Sequence, residues 1–151
     1  MKKHPEIIGV LFFEMQCKEV IKYIEQWAHK GIALQNDSVG LQIGNPESII
    51  KNIMLSLDLS EGVIEQATEK KCNLIITHHP IFYHPINKLN FSTDSISKQI
   101  YKIIKRDINL YSVHTNLDFT KDGVSIQLAK KIRLNNIKIL YYKDLWQKYK
   151  S

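Results

Sequence analysis

The stretch Asn73-Leu74-Ile75-Ile76-Thr77-His78-His79-Pro80-Ile81-Phe82 decides how this chain is read. An apolar run of strand length ends in two adjacent histidines, and a proline stops it. Leu74 to Ile76 are apolar at consecutive positions, as in a strand covered on both faces of a parallel sheet. A second stretch repeats the design. Ile108-Asn109-Leu110-Tyr111-Ser112-Val113 reads as another buried strand, and it runs into His114, with Asp118 four residues on.

Working outward, Cys17 to Lys30 is expected to be an amphipathic helix, with Val20, Ile21, Ile24, Trp27 and Ala28 at helical spacing and Trp27 in the core. Gly31 is the expected stop. Asn36, Asp37 and Ser38 make a turn, and Val39, Leu41 and Ile43 then alternate as in a short half-buried strand that Gly44-Asn45-Pro46 ends. Ile53 to Leu59 is a strand with Asp58 at its carboxyl end. Ser60 caps a helix over Val63 to Lys71. Phe82 to Phe91 is a loop, and Thr93 or Ser95 caps a helix through Lys105. After the turn at Asp122-Gly123, Val124 to Ile132 is helical, and Ile137 to Tyr141 is a fourth strand.

The order β, α, β, α, β, α, β predicts an α/β fold, a mostly parallel sheet flanked by helices. Ligands of such sheets bind outside the carboxyl ends of the strands. Asp58, His78, His79, His114 and Asp118 all fall there. The expected organisation is an N-terminal extension over 1–15, a metal-binding α/β domain over 16–142 and a tail over 143–151.

The 151 residues suit one domain, and 44% hydrophobic with 24% charged residues is ordinary for a soluble globular protein. No apolar run approaches the ~20 residues that span a bilayer. His4, Pro5 and Glu6 interrupt the basic start and Glu14 ends the apolar run from Ile7 to Phe13, which argues against a signal peptide. Cys17 and Cys72 are far apart and in no CxxC, a pattern of reduced thiols. Both point to the cytoplasm. The net charge of +6 comes from dispersed lysines and reads as a solvated surface. Nucleic acid is an alternative partner on charge alone, because no RNA-binding signature, helix-turn-helix or zinc-finger spacing is visible.

Imidazole and carboxylate are the usual protein ligands of zinc, iron and manganese. His78, His79, His114 and Asp118 are therefore the candidate metal set, for one divalent ion or, with Asp118 bridging, two. Neighbouring strand residues point to opposite faces, so His78 and His79 share a site only if the strand ends there. Asp37 and Asp58 are candidates to orient the ligands. His4, His29 and His84 read as structural or surface groups. No GxSxG elbow, P-loop or GxGxxG competes.

These motifs resemble those of the Nif-three-like dinuclear metal-centre family, the GTP cyclohydrolase I type 2 homologues. The resemblance rests on Ile75 to Phe82, on Val113 to Asp118, on Val39 to Gly44 and on Ser56-Leu57-Asp58, in family order over residues 17–142. It implies an α/β fold, a toroidal hexamer, and a two-metal site that includes His78, His79, His114 and Asp118. A metal-dependent hydrolase is implied, with metal-bound water as nucleophile and no catalytic side chain assigned.

There are departures. The family's Trp-Asp-Asn is Asn36-Asp37-Ser38 here. Its late His-x-x-x-Glu pair has no counterpart, since His114 is the last histidine and Asp144 the last acidic residue. The resemblance thus covers the family's N-terminal half. The expectation is a form lacking the C-terminal lobe, with that lobe supplied by another chain or missing. The alternative function is a non-catalytic metal-binding or interaction module.

Overall fold

The computed structural model describes residues 7–137, with side chains from residue 15 onward. The expected strand at 137–141 lies, but for its first residue, outside this range, as does the 143–151 tail. The core is the parallel trio β3 (Ile49–Ser56), β4 (Leu74–Thr77) and β5 (Asn109–Ser112). Two antiparallel strands close its edges: β1 (Ile7–Gln16) beside β3, and β2 (Gly40–Ile43) beside β5. The order across the sheet is β1-β3-β4-β5-β2. The fold is therefore α/β with flanking helices, as expected, and the five-stranded sheet is mixed, parallel in its three central strands. The antiparallel β1 was not expected, since its residues read as an extension.

Strand alternation divides the core in two. Met54, Ile75 and Leu110 face a layer with Val63, Ile64, Ala67 and Ile103, supplied by α2 (Glu61–Glu69) and α3 (Ser95–Lys105). Ile53, Leu74 and Tyr111 face the other way, onto Cys17 and Val20 of α1 (Cys17–Trp27) and Ala28 after it. Each fully buried aliphatic side chain contributes about 1.5–3 kcal/mol. The helices close both faces, so the strand ends are the place left for a site.

The helix ends follow from local chemistry. Ser60 caps α2 by accepting from Val63 N. Asp94, rather than Thr93 or Ser95, caps α3 and accepts from both Ser97 N and Ser97 Oγ. Trp27 is not in the core: it stands 50% exposed, with its indole N–H on the Lys121 carbonyl. Gly44 sits at φ +129°, and a Cβ there would lie 2.1 Å from Asn109 Oδ1. That oxygen accepts from Asn45 N at 2.8 Å and fixes the turn after β2. No helix among the described residues is long and apolar enough to cross a membrane.

Candidate metal centre

Three hydroxyls end the three parallel strands. Ser56, Thr77 and Ser112 stand in register on β3, β4 and β5, all buried. Ser56 Oγ donates to the Asp58 carbonyl at 2.7 Å, and Thr77 Oγ1 donates to the His79 carbonyl at 2.8 Å. The Thr77 and Ser112 hydroxyls are 3.0 Å apart and bonded to each other. Such local bonds draw the backbone out of the strand path. His78 and His79 therefore leave the alternation, and their ring centroids come within 4.9 Å.

His114 follows β5 and heads a short helix, α4 (Thr115–Phe119). Asp118 N bonds the His114 carbonyl at 3.2 Å, so the four-residue spacing is one helical turn. Buried Asn116 ties this helix to the end of α1 through the Ala28 carbonyl, at 2.7 Å.

All three rings use Nδ1 for a partner behind them. His78 Nδ1 lies 2.9 Å from the Val113 carbonyl, His79 Nδ1 2.6 Å from Asp58 Oδ1, and His114 Nδ1 2.9 Å from Asp37 Oδ1. A carbonyl or an ionised carboxylate only accepts, which assigns the ring proton to Nδ1. Nε2 of each neutral ring then carries a lone pair. This arrangement fixes the tautomer and orientation of metal-binding histidines and raises their basicity.

His78, His79 and His114 offer ligand atoms all within 4.8 Å of one another. Asp118 stands outside that group but beside it, with Oδ1 3.7 Å from His78 Nε2. That is too long for a hydrogen bond. Two donors on one tetrahedral zinc ion are separated by roughly 3.4 Å, a spacing a small shift reaches. The donor set, three imidazoles and one carboxylate, fits zinc, iron or manganese.

The two carboxylates behind the rings differ. Asp37 is almost enclosed, at 8% side-chain exposure, and Asp58 is open, at 56%. Asp37 also accepts from Thr115 N and Thr115 Oγ1. Burial pushes its carboxyl up, but the bonds from His114 and Thr115 outweigh this and hold it below the usual carboxylate range.

Of the other histidines, His29 caps a 3-10 turn by accepting from Gly31 N, and His84 lines a cavity of about 470 Å³ with Phe82, Ile86 and Leu89. His4 lies outside the described residues. Sequence reasoning missed Tyr83, whose ring meets His114 edge-on at 6.2 Å and 89°. Burial, then the charges of Asp58 and Asp37, push its phenol up. It also missed the hydroxyl row, although one Ser or Thr ending each apolar run was a visible signal.

A profile of the Duf34/NIF3 (NGG1p interacting factor 3) family matches residues 15–147. The chain is 39% identical over 126 residues to a GTP cyclohydrolase 1 type 2 homolog of Clostridium acetobutylicum, covering 83% of this chain and 47% of that protein. It is 41% identical over 128 residues to a GTP cyclohydrolase 1 type 2 homolog of Methanocaldococcus jannaschii, covering 84% and 51%. Among solved structures, a Bacillus cereus protein related to NIF3 superposes with a TM-score of 0.83 at 33% identity, over 86% of this chain and 36% of that one. The chain thus spans about a third to a half of the length of the relatives it matches.

Proposed function

The chain belongs to the Duf34/NIF3 family, and from that premise we propose that it binds divalent metal through His78, His79, His114 and Asp118 and acts as a metal-dependent hydrolase. The observation that carries this reading is the shared posture of the three imidazoles. Each commits Nδ1 to a fixed acceptor, and their ligand atoms converge within 4.8 Å. Three histidines drawn together for packing alone would leave polar edges against one another at a cost.

A divalent ion held there would supply Lewis acidity for hydrolysis. The chain's own residues do the rest. Nε2 of the three rings and a carboxylate oxygen of Asp118 bind. Asp37, Asp58 and the Val113 carbonyl hold the rings in place. Asp118 would also help to hold a second ion.

Hydrolysis is the finer part of the proposal. It draws on the cyclohydrolase name of the relatives, and the chain spans only part of their length. Metal binding without turnover is the second reading. A homo-oligomer, of the ring type the family resemblance implies, is proposed as well. Val124, Leu128 and Ile132 along α5 (Val124–Lys131) and just past it are exposed apolar groups that suit such contacts.

Equilibrium dialysis against zinc and manganese, followed by incubation with GTP, tests both parts. Wild type should take up metal and release a hydrolysis product that a chelator abolishes, and His79→Ala should lose both. Uptake without product selects the second reading. No uptake overturns the proposal.

A further inference from the structure

We propose that Tyr83 is a ligand-binding residue of this site, donating its phenol hydrogen to an oxyanion held at the metal. The inference rests on the metal-binding reading and adds a ligand class to it. The phenol is placed for this by the loop that leaves the paired histidines. β4 ends at Thr77, and four residues after His79 the chain brings the Tyr83 ring edge-on to His114. Tyr83 is 57% exposed, so it is not packed beneath the cluster.

A further observation supports this placement. Among the described residues its hydroxyl has no hydrogen-bond partner, whereas the three imidazoles and the strand-end hydroxyls are all engaged. A donor left open beside a cation site suits a ligand rather than the protein.

The class of ligand follows from what the groups can accept. A divalent ion with open positions takes oxygen ligands, and a neutral O–H adds a directed donor. Phosphate and carboxylate oxygens satisfy both at once, and a charged acceptor makes the bond stronger than a neutral one. An amine or an imidazole ligand would gain nothing from the phenol's hydrogen.

The test uses the whole chain loaded with cobalt(II), whose visible bands report its ligands, titrated with inorganic phosphate and separately with acetate. Wild type and Tyr83→Phe are compared, since phenylalanine keeps the ring and removes only the hydroxyl. Both should bind cobalt with the same affinity. Phosphate or acetate should shift the wild-type bands, and the anion that Tyr83 recognises should bind the variant about tenfold more weakly. The anion that loses more identifies the source as phosphate or carboxylate.

Equal affinity of both proteins for both anions overturns the inference while leaving metal binding intact. Weakened cobalt binding in Tyr83→Phe also overturns it, because the residue would then be supporting His114. Failure of wild type to bind cobalt overturns the metal reading and this inference together.

Discussion

The site has two arms built on the same chemical device and set in opposite surroundings. In one, Asp37 holds His114 from a nearly enclosed position and also takes two bonds from Thr115. In the other, Asp58 holds His79 from an open position. A carboxylate–imidazole bond orients a ring equally well in both places. Its contribution to folding does not carry over, because solvent replaces an exposed partner cheaply and cannot reach a buried one. The Asp37 arm should serve both fold and site, and the Asp58 arm the site alone.

Asp37→Ala is the strongest way to break this contrast. It deprives Thr115 N–H, the Thr115 hydroxyl and the His114 ring of a partner that stands nearly enclosed. Stability should fall by about 2–4 kcal/mol in urea unfolding, and zinc affinity by about 10–100-fold in titration. Thr77→Val comes next. It removes the hydroxyl that holds the His79 carbonyl and leaves Ser112 without its buried partner. A loss of about 1–2 kcal/mol is expected. It would show that the exposed arm takes its stiffness from the hydroxyl row rather than from Asp58.

Asp58→Ala should lower metal affinity about tenfold and change stability by less than about 1 kcal/mol. Equal stability losses for Asp37→Ala and Asp58→Ala would erase the distinction between the arms.

The smallest effect is in pH. The Asp37 carboxyl titrates below its ordinary value when folded. Its contribution is therefore complete above the usual carboxylate range and is lost as pH falls through that range toward the folded value. The stability gap between wild type and Asp37→Asn should shrink as pH drops from about 6 to about 3. A gap that widened would contradict the assigned bonds.

Much of this was legible because strand ends announce themselves. Apolar runs closed by histidine placed β4 and β5, and alternation placed β2. Asp37 and Asp58 could be named as ring partners, since short polar residues cluster at these ends. What escaped depended on contacts made far along the chain. β1 exists through pairing with β3, a register that local pattern does not encode. Trp27 has the spacing of a core residue, yet its indole is drawn to the surface by the Lys121 carbonyl. Nothing near Tyr83 in sequence says that its ring meets His114, because the loop's path decides that. The helical turn joining His114 to Asp118 was readable only as proximity.

The central claim is that the three histidines and Asp118 hold a divalent ion, and the most direct measurement is metal content. Elemental analysis of the protein as purified, without added metal, should find close to one or two equivalents of zinc, iron or manganese in wild type. His79→Ala combined with Asp118→Ala, folded by circular dichroism, should retain less than about a tenth of that. Equal and negligible metal in both proteins would contradict the account.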